Sequence, residues 1–212
     1  QKNSNVNPLN ILNQDVSRVG ALELKFYNKE FDFDYHSKLK KYLSKKKPVV
    51  FLMGLDEIDV SILKDSFVIY MGHNGDRSAS VADIILPTPA YTEKSSTYMN
   101  IEGRVFQTTK CYNPLGDAKE EWKVFRALSD TINKKLNFNN LSELRKEIIS
   151  SFSQFAHLNE INPIKKISFG KNHKIKNIKI NYNIENFYMN DSISRSSETM
   201  ALCTKDILSK VA

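Results

Sequence analysis

The sequence predicts an α/β protein with a parallel-sheet core and flanking helices. Three apolar runs point to it: Pro48-Val-Val-Phe-Leu-Met-Gly54, Ser66-Phe-Val-Ile-Tyr-Met-Gly72 and Ala82-Asp-Ile-Ile-Leu-Pro87. Each has strand length, is continuous rather than alternating in hydrophobicity, and ends in Gly or Pro, the pattern of a strand buried on both faces. A short helical segment near Val60 to Lys64 separates the first two, which reads as a parallel β-α-β unit. The third run, closed by Pro87-Thr-Pro89, reads as another buried strand.

Helices flank this core. From Asn7 to Val19 a cap, Pro8 in the first turn and the stripe Leu9, Leu12, Val16 and Val19 predict a helix ended by Gly20. Tyr35 to Lys46 has helical spacing through Leu39, Tyr42 and Leu43 and runs into lysines, which suit a helix C-terminus. Beyond the sheet, Ser96 to Asn100 and Arg104 to Cys111 flank Ile101-Glu-Gly103 as a hairpin-like excursion. Asp117, with Glu120 three residues on, matches a capping box, and Ala118, Trp122, Phe125 and Ile132 line the face expected to pack on the sheet.

The character changes near Asn137. A helical stretch from Leu141 to Phe155 precedes Lys165 to Phe169 and the Ile/Lys pattern of Ile175 to Ile180, read as a peripheral edge strand with lysines toward water. From Ser197 the spacing of Met200, Cys203, Ile207 and Val211 is helical again. The expected organisation is an α/β core domain over residues 1–136 and a C-terminal α+β extension over 137–212, packed on that core or part of the same domain.

Composition narrows the function. No run approaches the roughly 18 to 20 apolar residues that cross a bilayer, so any membrane link must come through partners. Gln1 in place of Met, with no signal or transit segment after it, reads as a mature or partial polypeptide. The net charge of +7 would suit nucleic acid, yet the lysines are scattered and the enrichment in Asn, Lys, Ile, Phe and Tyr is what A+T-rich coding produces. A basic nucleic-acid-binding module is therefore the weakest reading. Two cysteines, Cys111 and Cys203, cannot supply the four thiolates of a cluster, and His36, His73, His157 and His173 show no ligand spacing. Both cysteines read as small buried hydrophobes.

The densest motif is Gly72-His-Asn-Gly-Asp-Arg77, after a predicted strand, where open α/β sheets carry ligand loops. Backbone amides with His73 and Arg77 could cradle a phosphate, but the spacing is neither the dinucleotide fingerprint nor a P-loop. The structural alternative is a tight turn in which Gly72 and Gly75 supply φ > 0, Asp76 bonds local amides and Arg77 pairs with a carboxylate. Glu93-Lys94 and Glu102-Gly103-Arg104 offer charged pairs, and two carboxylates can do acid–base work. No nucleophile accompanies them, so solvated or salt-bridged surface is the simpler reading.

Several segments also carry a family resemblance. Gly72-His-Asn-Gly-Asp76, Ala82-Asp-Ile-Ile-Leu-Pro87, Ala90-Tyr-Thr-Glu-Lys94, Thr97-Tyr-Met-Asn-Ile-Glu-Gly-Arg104 and Gly116-Asp-Ala-Lys-Glu-Glu-Trp-Lys123 resemble, in order and spacing, the carboxyl-terminal region of the large iron–sulfur subunits of respiratory complex I, NADH:ubiquinone oxidoreductase. Leu9 to Leu12, Val19 to Leu24 and Ile193 to Cys203 extend the resemblance over almost the whole chain; only Asn137 to Asn186 is nondescript. It implies a degenerate molybdopterin-oxidoreductase-like domain that has lost its pterin, binds no cofactor and serves as scaffold in the peripheral arm. Iron–sulfur clusters are then expected on a partner N-terminal polypeptide, with other peripheral-arm subunits as neighbours, on the matrix side of the mitochondrial inner membrane or the cytoplasmic side of a bacterial one.

No catalytic, cofactor-binding or metal residue is assigned; Gly72, His73, Gly75, Asp76, Arg77, Glu93, Lys94, Glu102, Gly103 and Arg104 are expected to form structural or interface loops. Asn74 stands where the family commonly has a second His, Thr88-Pro89 where it often has Gly-Ala, and Ser96 where Gly is usual. Such replacements of Gly argue against a preserved cofactor site. The competing reading is an oxidoreductase domain that keeps a live molybdopterin site.

Overall fold

The computed structural model describes residues 18–26, 41–43, 47–55, 58–75, 77–160 and 186–211, with side chains described as far as residue 207. The chain forms two compact units, each discontinuous in sequence: residues 1–37 with 89–171, and 38–88 with 172–212. The expected boundary at 136/137 falls inside the first unit, and the chain enters the sheet-bearing unit at residue 38, leaves it after 88 and returns at 172.

The second unit contains the parallel sheet. Strands β1 (Val49–Met53), β2 (Phe67–Gly72) and β3 (Ile84–Pro87) lie in the order β1-β2-β3, all parallel, as the three apolar runs predict. Val50 pairs with Val68, Leu52 with Tyr70, and Tyr70 with Ile85. The connection from β1 to β2 carries a 3-10 turn, Val60–Leu63, whose Asp59 carboxylate accepts from the Ser61 amide at 3.1 Å. The connection from β2 to β3 carries the short helix α2 (Arg77–Ser80), numbered after α1 of the first unit (Arg18–Glu23).

Leu43, Leu52, Leu63, Val68 and Tyr70 form the core, with Val50, Ile62, Ala79 and Ala82 against them. Fully burying an aliphatic or aromatic side chain contributes about 1.5–3 kcal/mol. Two polar side chains bond backbone groups around this core. Ser78, completely buried, donates its hydroxyl to the Leu55 carbonyl, and Asp83 accepts from the Val68 amide at 2.7 Å while its own amide donates to the Val68 carbonyl at 2.8 Å.

The expected burial of β3 is corrected: Ile84 and Ile85 are 42% and 53% exposed, because β3 is an edge strand of the described sheet. Tyr42, placed on the apolar stripe of its helix, is likewise exposed, while Leu43 beside it is core. Toward the end of the chain come a 3-10 turn (Phe187–Met189) and the helices α5 (Ser192–Arg195) and α6 (Glu198–Val211), the latter in agreement with the helical spacing from Ser197.

The first unit is built on α1 and the hairpin β4 (Thr97–Met99) and β5 (Val105–Gln107), with Tyr98 opposite Phe106. Its core is Val19, Met99, Val105 and Phe155. Gly20 does not end the first helix but lies buried within it. The stop comes at Lys25, with φ +56°, where the Phe26 amide reaches the Ala21 carbonyl and the Lys25 amide reaches Leu22, both at 2.9 Å: a Schellman end made with Lys instead of Gly. The hairpin is shorter than expected, so Cys111 closes no strand; it is exposed, and Cys203 is half-buried.

Helix α3 (Glu121–Thr131) starts three residues later than the capping pattern predicts. Gly116 at φ +54° makes a turn before it, and the Glu120 carboxylate is occupied by Trp122 Nε1 at 2.7 Å and Lys123 Nζ at 2.9 Å, which prevents the capping box. Ile132, expected on the packed face, is 56% exposed, and Trp122 tilts against Phe138. The packing expected between this helix and the parallel sheet concerns elements of different units. Helix α4 (Leu141–Ser151) and the 3-10 turn Ser153–Ala156 follow the predicted stretch, capped by Asn140, which accepts from the Glu143 amide at 2.9 Å. The elements expected at 7–17, 35–40, 165–169 and 175–180 lie outside the described residues.

Gly72 is glycine because of packing. A methyl group on its Cα would fall within the hydroxyl and ring carbons of the buried Tyr70, whereas at Gly75 it would meet open space. Gly72→Ala is expected to destabilise the protein by about 1–3 kcal/mol through overpacking. Gly75→Ala should change stability by less than about 0.5 kcal/mol, and urea unfolding of the two variants checks the contrast.

Asp191 caps α5, accepting from the Ile193 and Ser194 amides at 2.9 and 3.0 Å. The bond from the Ser194 amide holds its carboxyl below the ordinary aspartate value against the opposing effect of burial, helped by the Ser194 hydroxyl and the Ile193 amide. A depressed folded pKa stabilises above the unfolded value, about pH 4, and that contribution disappears as pH falls through the folded value. Asp191→Ala should therefore cost about 1 kcal/mol near neutral pH. The difference from wild type should shrink below about pH 4 in denaturant titrations across pH.

Candidate functional site

The loop after β2 sits at the strand's C-terminal end, where an open parallel sheet presents backbone amides to ligands. Here its polar groups turn inward. The Tyr70 hydroxyl, at the end of a side chain only 2% exposed, donates to the Asn74 carbonyl at 2.8 Å. Asn74 Nδ2 donates twice, to the Ser192 carbonyl at 3.0 Å and to Ser196 Oγ at 3.1 Å. The exposed His73 places Nε2 3.5 Å from Ser192 Oγ, the outer limit of a hydrogen bond. The loop is thus closed on α5 and the turn after it, more than a hundred residues away in sequence.

Gly72 and Gly75, expected to provide positive φ, do not adopt it; Gly72 is required by the close approach of Tyr70, and Gly75 has no such neighbour. Arg77 begins α2 and its carbonyl accepts from Ser80 Oγ at 2.7 Å. Asp76 lies outside the described residues.

The remaining candidates belong to the first unit. Glu93 folds back on its own turn, accepting from the Ala90 amide at 3.0 Å while its amide donates to the Ala90 carbonyl at 3.0 Å. Lys94 pairs with Glu121 in the first turn of α3, both side chains about a quarter exposed. Gly103 does take positive φ, +81°, in the β4–β5 turn. That turn is organised by Asn100, whose Oδ1 accepts from the Glu102 and Arg104 amides at 3.0 Å each, and whose Nδ2 donates to Glu102 at 3.3 Å. Arg104 directs its guanidinium to the Asn159 carbonyl, at 3.0 Å.

Glu120 adds to this pattern of structural use. Burial raises its pKa, but the hydrogen bonds from Trp122 and Lys123 outweigh that and hold the carboxylate below its ordinary value. A carboxylate stabilised as the anion by fixed donors is a poor general acid near neutrality. Among the described residues no group of three or more His, Cys, Asp or Glu could hold a metal ion, and no helix is long and apolar enough to cross a membrane.

The loop after β2 does not fit the phosphates of a pterin dinucleotide beside Gly72. A phosphate cradle needs backbone amides open to the ligand and a glycine whose missing side chain leaves it room. The space beside Gly72 is filled by Tyr70, and the Asn74 side-chain amide donates within the protein. A histidine nitrogen carries a single hydrogen and could not make the paired bonds of Asn74 Nδ2. Sequence reasoning does not single out Asn74, Ser192, Ser196 or Asn100 as functional. Asn100 offers a turn signal beside Gly103, whereas the link from Asn74 to Ser192 has none.

A family model for molybdopterin oxidoreductase matches residues 1–131, and one for the C-terminal region of the G-type subunit of NADH-ubiquinone oxidoreductase matches residues 162–203. The NADH-ubiquinone oxidoreductase 75 kDa subunit of Reclinomonas americana is 39% identical over 96% of this chain and 29% of its own length. The mitochondrial 78 kDa subunit of Candida albicans is 40% identical over 97% of this chain and 28% of its own length, and the G-type subunit of the Rickettsia bellii NADH-quinone oxidoreductase is 35% identical over 92% and 27%. The chain spans less than a third of the length of these relatives. With more than half of its residues matched by the family model, the chain belongs to the molybdopterin oxidoreductase family, and its relatives there are the 75/78 kDa and G-type subunits of NADH-ubiquinone oxidoreductase.

Proposed function

We propose that this chain is a non-catalytic structural element of NADH:ubiquinone oxidoreductase, the C-terminal or split half of its large iron–sulfur subunit, in the peripheral arm. It supports electron transfer from NADH to ubiquinone by holding the polypeptide that carries the clusters and binds no cofactor itself. The observation that carries this reading is the 39–40% identity to 75/78 kDa subunits over nearly the whole chain. Local geometry supports it: Gly72, Glu93, Lys94, Gly103 and Arg104 serve packing, turns, an ion pair and a carbonyl contact, the work of loops that are structural or lie at interfaces. His73, Gly75 and Glu102 belong to the same loops. The complex would place the chain on the matrix side of the mitochondrial inner membrane, or on the cytoplasmic side in a bacterium.

Asn74→Ala should lower stability by about 1–3 kcal/mol, since it removes two hydrogen bonds and leaves their acceptors to find water. Asn74→His should recover at most one of those bonds, and thermal unfolding of the three proteins ranks them. The functional reading is checked by native pull-down with mass spectrometry, with iron and molybdenum measured on the same sample. Co-purification of a Cys-rich, iron-containing polypeptide with other respiratory subunits, without molybdenum, is expected. A solitary chain carrying stoichiometric molybdenum would overturn it in favour of a live pterin site.

A further inference from the structure

Asn74 is followed by Gly75, and no other asparagine of the chain precedes a glycine. That dipeptide carries a chemistry of its own. The side-chain carbonyl carbon of an asparagine is open to attack by the main-chain nitrogen of the next residue, and a side chain on that next residue is the chief obstacle to the approach. Gly75 has no side chain and is exposed, and a methyl group on its Cα would meet nothing within 4 Å.

What opposes the reaction is the joint that Asn74 closes. Its Nδ2, the group that would leave, donates to the Ser192 carbonyl at 3.0 Å and to Ser196 Oγ at 3.1 Å. The Ser196 hydroxyl donates in turn to the same Ser192 carbonyl at 2.8 Å, so amide, hydroxyl and carbonyl form a closed triangle. The main-chain carbonyl of Asn74 is held as well, by the Tyr70 hydroxyl at 2.8 Å. Bonding Cγ to the Gly75 nitrogen draws the side chain in from van der Waals to covalent distance and takes Nδ2 off its acceptors.

We infer that Asn74-Gly75 is a self-modification site gated by this joint: when the loop leaves α5, Asn74 converts to aspartate or isoaspartate, and the joint does not reform. The Gly75 nitrogen gives its proton to water or hydroxide and bonds to Cγ, the Cγ–Nδ2 bond breaks, and ammonia departs with a proton from solvent, leaving a succinimide ring. Water then opens the ring, at Cγ to give aspartate or at the α-carbonyl to give isoaspartate, with nothing oxidised or reduced. Ionised aspartate has no hydrogen to offer the Ser192 carbonyl and brings a negative charge to it. Isoaspartate runs the main chain through Cβ and Cγ and turns the carbonyl that accepts from Tyr70 into a carboxylate. Either product lacks both bonds from Nδ2.

The test holds the full chain in mildly alkaline buffer below its melting midpoint and follows conversion at Asn74 by peptide mass spectrometry, with isoaspartate identified by isoaspartyl methyltransferase labelling. Wild type, Ser196→Ala, Gly75→Ala and wild type unfolded in urea are compared. Ser196→Ala, which removes one acceptor, should convert about fivefold faster than wild type, and the unfolded chain faster still. Gly75→Ala, at a position with open space, should stay unconverted over the same period. The converted protein should melt lower than the unconverted, as Asn74→Asp should. Equal rates in the folded and unfolded wild type, or no acceleration in a folded Ser196→Ala, overturn the gate. Conversion in urea but none in the folded chain or in Ser196→Ala overturns the site, and a converted protein with an unchanged melting midpoint overturns the loss of the joint.

Discussion

The second unit is organised by the placement of one side chain. Tyr70 stands at the centre of the middle strand, buried among Leu43, Leu52, Leu63 and Val68, and its hydroxyl emerges only far enough to meet the Asn74 carbonyl. A buried tyrosine must find a partner for that hydroxyl or carry an unsatisfied donor worth about 1–3 kcal/mol. The partner it takes turns the chain back over the ring, which requires Gly72 to have no Cβ, and fixes Asn74 where its amide can reach Ser192 and Ser196. Core packing, the sharpness of the loop and the attachment of the C-terminal helices are thus successive consequences of a single constraint.

That constraint also decides what the loop can do. The end of a parallel strand is an anion site only when its amides and small residues are left open. Here the room is taken by an aromatic ring and the loop is bonded to the turn that follows α5, so the position that offers a ligand site in an open α/β sheet has become a joint between elements of one unit. The first unit uses its polar groups internally in the same way. Asn100 gathers the amides of its turn, and Arg104 and Lys94 are held by a carbonyl and a carboxylate.

Strands are legible in the sequence because each is a single apolar run bounded by Gly or Pro, and burial of the middle strand makes that signal independent of alternation. What a run cannot reveal is whether something covers it. Ile84 and Ile85 read as buried and are exposed because β3 is an edge of the described sheet. The start of α3 is not where the sequence pattern puts it because a capping box is a contest for one carboxylate, and Trp122 and Lys123 win it from the backbone. Gly20 and Gly72 lack the conformational role that glycine most often has: one is buried within a helix and the other yields space to a ring. Of the candidate loops, the turn around Gly103 is readable from local chemistry. The contacts of Asn74 with Ser192 and Ser196 join residues 118 and 122 positions apart, and no local pattern encodes them.

Internal satisfaction of polar groups also decides how readily a loop can be buried. A surface that is to be buried against another polypeptide must shed water from every polar atom it carries, at about 1–3 kcal/mol for each atom left without a partner. A loop evolved to hold an anion presents unpaired amides and would be unfavourable to bury once the anion was gone. In the Asn74 loop the side-chain donors are answered from within: the Tyr70 hydroxyl has the Asn74 carbonyl, and the Asn74 side-chain amide has two acceptors. A histidine at that position would leave one acceptor open. Closing these groups on each other lets the loop be buried against another polypeptide without leaving the Tyr70 hydroxyl or the Asn74 side-chain amide unpaired.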